Sequence, residues 1–346
     1  MNEFSALKAA WHIDRIANLR DGKPIAPTHV QLILSDLCNQ NCHFCAYRMD
    51  GGFSTQLFAD AQGNKNPNRR MPTEKAIEII DDCAEAGVGA IEFTGGGEPT
   101  VHKDWQKIIG HAQSLGIQTG LVTNGVKLEF SPVLERLTWL RISLDAGKPE
   151  TYERIRQSAA WPRVMKNLEM VGKLSGPYIG VGFVVTRENY AELEGAAKLV
   201  KSFGIPYIRV SAMFSMSGAD YYDGIVDVIN EQRRLAKLLE DETFKVVDFF
   251  DDRINDLRMA APDYEFCGYM QFVVYIGGDQ AVYTCCTNAY TPHGKVGDLT
   301  AMRFKDWMKD ESRLKFDARG CHHCQFNEKN KVINYMVSKP AHVNFV

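Results

Sequence analysis

Residues 30–45 read VQLILSDLCNQNCHFC, and this stretch decides how the rest of the chain is read. An apolar, strand-like run (30–34) leads into Cys38, Cys42 and Cys45, spaced Cys-x3-Cys-x2-Cys. Three thiolates can hold three irons of a cubane [4Fe–4S] cluster, whereas closed clusters normally use four cysteines. The fourth iron then has no protein ligand, as a catalytic zinc site keeps an open position. An open iron can chelate a small molecule; a closed cluster mainly moves electrons. A partial zinc knuckle, or three unrelated cysteines, is the alternative reading of the spacing alone.

A second stretch, 91–100 (IEFTGGGEPT), is a short apolar strand that delivers three glycines, then Glu98 and Pro99. Glycine lets a backbone approach a ligand closely, and strand ends are where α/β sheets and barrels seat ligands. Taken in order, CNQNCHFC and GGGEPT resemble the radical S-adenosylmethionine (radical SAM) enzymes. In that family the open iron binds the amino and carboxylate groups of SAM, and a GGE segment contacts the methionyl amine. The match assigns those contacts to Gly96, Gly97 and Glu98.

Composition is compatible with this. The chain has 346 residues, 45% hydrophobic and 24% charged, enough for one large domain and a smaller one. A net charge of −3 gives no bulk attraction to nucleic acid or membrane. The short basic cluster 65–70 (KNPNRR) reads as a solvated loop. No apolar run approaches the ~20 residues that span a bilayer, and the amphipathic N-terminus is not a signal peptide. Nine cysteines without a secretory signal point to a reducing cytoplasm, where thiols serve metals.

Strand-like runs at 30–35, 90–94, 118–123, 139–144, 179–185 and 207–211 alternate with amphipathic helical stretches at 73–86, 104–115, 162–174 and 190–203. Several of these helices stop at a glycine. Six β–α repeats predict a parallel sheet with right-handed crossovers. The expected fold is α/β: a partial (β/α)6 TIM-like barrel with a small C-terminal iron–sulfur domain containing a β-hairpin. The expected organisation is a helical extension over 1–28, the barrel over 29–225, and a linker helix with the C-terminal domain over 226–346. Residues 47–71 interrupt the rhythm with a long polar segment, either a plain surface insertion or a lid over the site.

The resemblance nominates further SAM contacts. Phe44 matches the aromatic position packed near the adenine. Ser143, in RISLDA (141–146), matches a ribose or carboxylate contact. Arg156, in ETYERIR (150–156), matches an arginine that pairs with the SAM carboxylate, with Arg154 as a nearby competitor. Thr123, Asn124, Val184 and Met213 are weaker candidates at strand ends. The family's GxIxGxxE pattern is not cleanly present at 181–189, where the chain reads VGFVVTREN.

The last third departs from β–α alternation. Cys267 stands in YEFCGYM, a hairpin follows over 272–276 and 281–284, Cys285 and Cys286 end it, and Cys321-His-His-Cys324 comes after a helical stretch at 304–310. This order resembles the twitch domain, the shortened relative of the SPASM domain, and implies one auxiliary [4Fe–4S] cluster on Cys267, Cys285, Cys321 and Cys324. Structural zinc on four thiolates, or with His322 or His323 replacing one, stays open. So does Cys286 in place of Cys285, since adjacent strand residues point to opposite faces. Cys83, at helical spacing with Ala76, Ile79 and Ile80, reads as a small buried hydrophobe.

The resemblance implies the chemistry. A reduced cluster gives one electron to SAM, and the resulting 5′-deoxyadenosyl radical abstracts hydrogen from an unactivated C–H bond in a closed site. A flavodoxin or ferredoxin-type protein is the implied electron donor. The substrate class expected is a small molecule, such as a sugar, cyclitol, amino acid or nucleoside derivative, with a modified nucleobase also open. The 28 residues before the first strand are too few for the leader-binding domain of peptide modifiers, which disfavours a peptide. A plain electron carrier has no use for the GGE and SLDA segments.

Overall fold

The computed structural model describes residues 5–47, 70–215, 217–259, 261–322, 324–338 and 340–342. Their frame is one ten-stranded sheet in the order β10-β9-β8-β1-β2-β3-β4-β5-β6-β7. The parallel run is β1 (His29–Ile33), β2 (Ala90–Thr94), β3 (Gln118–Thr123), β4 (Trp139–Ser143), β5 (Tyr178–Val185), β6 (Tyr207–Ala212) and β7 (Lys245–Asp248). Six of these were expected. The seventh, KVVD, is four residues long with one fully buried side chain, Val246, too short a pattern to separate from loop. The helix Val226–Lys237, grouped with the linker by the sequence reading, crosses between β6 and β7 and packs on Leu193–Ser202.

Alternation along the strands explains how the sheet curls. Val30 and Leu32, Ile91 and Phe93, Leu140 and Ile142, Ile208 and Val210 are buried under the surrounding helices. The intervening Gln31, Glu92, Arg141 and Arg209 face inward and line a central cavity. The helix Thr73–Glu85 seats Ala76, Ile79, Ile80 and Cys83 in the outer core, as an i, i+3, i+4, i+7 stripe requires. Cys83 is fully buried, and that burial pushes its thiol well up.

The C-terminal hairpin does not stand apart from the barrel. β8 (Val273–Ile276) runs parallel to β1, with His29 opposite Val273 and Leu32 opposite Ile276. β9 (Ala281–Tyr283) pairs antiparallel with β8, and β10 (Lys295–Asp298) with β9. The N-terminal extension is helical, as Ala6–Trp11 and Ile13–Arg20, and Ile16, Leu19 and Ile25 pack with Phe272 and Ile333. Among the described residues no helix is long and apolar enough to cross a membrane. Residues 48–69 lie outside the described residues, and the expectation of a lid lies there with them; at their far end Arg70 bridges Ser35.

Candidate active site

The loop after β1 carries Cys38, Cys42 and Cys45, none of them in a disulfide, and is held from three sides. The first hold is the loop after β2. Gly97 N–H donates to the Ser35 carbonyl at 3.0 Å and Glu98 N–H to the Leu37 carbonyl at 2.8 Å. A Cβ on Gly97 would lie 2.2 Å from the Leu37 carbonyl oxygen, so glycine is needed there for close approach. Gly97→Ala is therefore expected to lower stability by about 1–3 kcal/mol. Gly195→Ala, in a helix with nothing within 4 Å of the new methyl, should instead raise it by ~0.5–1 kcal/mol. Thermal midpoints of the two variants check both signs; a G97A midpoint equal to that of the parent protein would refute the packing argument.

Glu98 is buried and acts as a clamp. Its Oε1 accepts from the Thr100 N–H at 3.0 Å, the Thr100 hydroxyl at 2.7 Å and the Thr123 hydroxyl at 2.7 Å, and its Oε2 accepts from the Asn124 N–H at 2.7 Å. Burial pushes its carboxyl up, while the Asn124, Thr100 and Thr123 donors hold it down. Both carboxylate oxygens thus tie the loops after β2 and β3 together. The second hold is Asn124, whose side-chain N–H groups lie 2.7 Å from Asn39 Oδ1 and 3.8 Å from Cys38 Sγ.

The third hold is the helix Pro149–Arg156. Gln40 donates to the Tyr152 hydroxyl at 2.6 Å, and the Asn41 and His43 N–H groups donate to the Arg156 and Ile155 carbonyls at 3.3 Å each. Arg156 is buried. It forms an ion pair with Asp145, donates to Cys42 Sγ at 3.4 Å, and stands 5.7 Å from the centroid of the Phe44 ring. The acid facing Arg156 is thus Asp145, at φ +57° in the loop after β4. Asp145 Oδ1 also accepts from the Val184 N–H at 2.7 Å. Burial pushes the Asp145 carboxyl up, against the pull of Arg156 and the Val184 amide. Arg154 points out and pairs with Glu188 at 2.6 Å. Ser143 ends β4 opposite Gly182, outside the cavity lining.

The cavity enclosed by the sheet has a volume of about 1140 Å³. Cys42, Phe44 and Cys45 line it at the strand C-termini, with Val184 and Met213 nearby; residues of the N-terminal extension line the far end. Sequence reasoning missed Asp36, whose carboxylate accepts from the Tyr290 hydroxyl, and the pairing of Asp145 with Arg156. Asp145 was visible only as the third letter of SLDA; Tyr290 had no local signal.

The C-terminal cysteines form a second group. Burial pushes the Cys267 thiol well up, and Cys285, Cys324 and Cys321 raise it further. Burial also pushes Cys285 up to about 11 and Cys321 to about 12. Donors surround these sulfurs: Tyr264 O–H lies 3.3 Å from Cys324 Sγ, Asn288 Nδ2 3.0 Å from Cys321 Sγ, and Asn330 Nδ2 3.7 Å from Cys324 Sγ. Hydrogen bonds to ligating sulfurs tune metal centres. Cys286 turns the other way: it lines the central cavity and accepts from Gln325 Nε2 at 3.0 Å. His322 is exposed, His323 lies outside the described residues, and His293 Nε2 is 3.5 Å from Cys321 Sγ. Among the described residues no three His, Cys, Asp or Glu side chains converge closely enough to hold a metal ion as they stand. None of these five cysteines is in a disulfide, and their soft sulfur donors, like those of Cys38, Cys42 and Cys45, suit iron–sulfur chemistry.

Comparison with known proteins gives the same picture. Mycofactocin maturase of Mycolicibacterium smegmatis is 25% identical over 267 residues, 75% of this chain and 64% of that protein. The S-adenosylmethionine-dependent nucleotide dehydratase of Lacinutrix mariniflava is 30% identical over 163 residues, 45% of this chain and 32% of that protein. The chain therefore spans less than two-thirds of either relative. In fold it is similar to Streptococcus suis SuiB bound to S-adenosylmethionine, with a TM-score of 0.64 at 15% identity over 90% of this chain and 76% of that one. Residues 32–200, just under half of the chain, match the model of the radical SAM superfamily, and Cys38, Cys42 and Cys45 lie within the matched stretch.

Proposed function

We propose that this protein is a radical SAM enzyme acting on a small molecule, with net two-electron oxidation as the outcome. The observation that carries the reading is the shared cavity: Cys42, Phe44 and Cys45 line one end of a space of about 1140 Å³. That is slightly above the ~300–1,000 Å³ of small-molecule sites, room for a substrate beside a cofactor. Cys38, Cys42 and Cys45 would hold a [4Fe–4S] cluster with one open iron for SAM, and Gly96, Gly97, Glu98, Phe44, Ser143 and Arg156 are the proposed SAM-side residues. When bound, cluster and SAM supply a 5′-deoxyadenosyl radical that takes a hydrogen atom from a C–H bond.

The chain's own residues position and shield. Glu98 ties the loops after β2 and β3, so the cysteine loop rests on a rigid seat. The Arg156 N–H donates to Cys42 Sγ at 3.4 Å and so fixes where that sulfur sits on the cavity wall. Tyr47, Tyr275 and Phe214 line the cavity with aromatic surface, which excludes water from reactive species. Cys267, Cys285, Cys321 and Cys324 are proposed to hold an auxiliary [4Fe–4S] cluster that accepts the second electron, with a flavodoxin or ferredoxin-type protein as the primary donor.

One observation favours a second reading. Cys286 lines the same cavity as Cys42 and Cys45, so its S–H would return hydrogen to a substrate radical in an isomerisation, and one electron from the flavodoxin or ferredoxin-type donor with one proton would restore the resulting thiyl to S–H. The ratio of 5′-deoxyadenosine to product separates the two, with substrate deuterated at the reacting carbon. Oxidation is expected to give one labelled deoxyadenosine per product. Many products per deoxyadenosine, or protium delivered to product and lost in Cys286→Ala, would establish the isomerase instead.

A further inference from the structure

The inner wall of this barrel is charged, where a packed barrel fills its interior with bulky apolar side chains. Gln31, Glu92, Arg141 and Arg209 project inward from β1, β2, β4 and β6. On the strand between β2 and β4 a glycine makes the room: a Cβ on Gly120 would lie 2.3 Å from the Trp139 indole.

The charges lining this cavity do not balance. Lys8, Arg141, Arg209, Arg253 and Lys329 face Glu92 and Asp256. Arg253 pairs with Asp256 at 3.2 Å, and Glu92 with His29 at 3.6 Å. Among the described residues no carboxylate lies within 4.0 Å of Arg141, Arg209 or Lys329. Their charged groups lie instead near aromatic rings: Arg141 is 5.6 Å from Trp139, Arg209 5.0 Å from Phe249, and Lys329 5.7 Å from Tyr269. Burial, then the neighbouring Arg141 and Arg253, pushes the Arg209 guanidinium down to about 9. Burial and Arg209 likewise push Lys329 down. Cations crowded away from bulk water are costly unless an anion joins them.

We infer that the barrel interior is an anion subsite, in which Arg141, Arg209 and Lys329 seat a carboxylate or phosphate group of the substrate. Arg141 stands two residues before the end of β4, and Arg209 three before the end of β6. At ~3.3 Å per residue they lie about 7–10 Å below the rim. The cysteine loop lines the same cavity at that rim, so the substrate carries its anionic group roughly this far from the C–H bond to be attacked. The location of that bond rests on the function proposed above; the anion subsite itself does not.

The test titrates anaerobic, cluster-loaded protein with inorganic phosphate and, separately, with succinate, by calorimetry. The parent protein should bind at least one of them saturably, and the tighter one identifies phosphate or carboxylate as the native group. Arg209→Gln and Arg141→Gln should each weaken binding about tenfold or more, the loss expected for a charge-assisted contact. Arg209→Lys, which keeps the charge but not the planar fork, should fall between and serves if R209Q does not fold. Lys173→Gln, on an exposed helix end, should bind as the parent does. Failure of both anions to bind, or binding unchanged in the Arg209 and Arg141 variants, overturns the inference. So does a halved iron content in R209Q, which would show the cations offsetting the charge of a C-terminal cluster. Deoxyadenosine formation without anion binding removes only this inference; anion binding without deoxyadenosine removes only the proposed function.

Discussion

Replacing Cys38, Cys42 and Cys45 together with alanine is expected to abolish 5′-deoxyadenosine formation and to lower iron from about eight to about four atoms per chain. The rate should fall to background, because a cluster that has lost all three of its ligands cannot form. The iron that remains tests the second half of the proposal. It should track Cys267, Cys285, Cys321 and Cys324, be accompanied by acid-labile sulfide, and survive Cys286→Ala. The side chains support that last distinction, since Cys286 faces the cavity while Cys285 neighbours the other three thiols. Deoxyadenosine produced by the triple variant would end the radical SAM reading of this loop. One equivalent of zinc without sulfide would replace the auxiliary cluster with a structural metal.

Asp145→Ala is expected to be the most destabilising single change in the barrel. It leaves the buried Arg156 guanidinium without its acid, and breaking a buried pair by removing one partner costs about 3–5 kcal/mol. For a chain this long the thermal midpoint should fall by roughly 5 °C. Arg156 also donates to Cys42 Sγ, so cluster retention should weaken as well. Replacing both partners with apolar residues, Asp145→Leu with Arg156→Met, should recover much of the midpoint but not the cluster contact. An unchanged midpoint in D145A would mean that the pair is not a structural hold on the cysteine loop. The cycle reads the midpoint of the loaded protein, because metal-containing proteins do not unfold as a simple two-state system.

Much of the architecture could be read locally. Strands β2 and β3 begin and end where alternation and flanking glycines predicted, and the other four expected strands shift by two residues or fewer at either end. Helix ends at Gly87, Gly116 and Gly204 coincide with positive φ values of 70°, 77° and 72°. The cysteine and GGE stretches were legible for the same reason: donor atoms and close backbone approach are properties of short segments. The same alternation carried one signal that was not used. A glutamine in the middle of HVQLI and charged residues within AIEFT, WLRIS and YIRVSA mark the inward face, and in a parallel barrel they announce a polar cavity rather than a packed core.

By itself, the sequence determined six of the seven parallel strands and the C-terminal hairpin, which helix faces are buried, and that three closely spaced thiols follow the first strand. These depend on side chains within one or two turns of each other, where geometry leaves little choice. Only the tertiary structure decided that the C-terminal hairpin joins the β1 edge, that Tyr290 reaches Asp36 across 254 residues of chain, that Asp145 pairs with Arg156, and that Cys286 turns to the cavity. The physical reason is range. Strand pairing and buried ion pairs gain their energy from groups brought together by the whole fold, and no local period encodes which distant partner completes them.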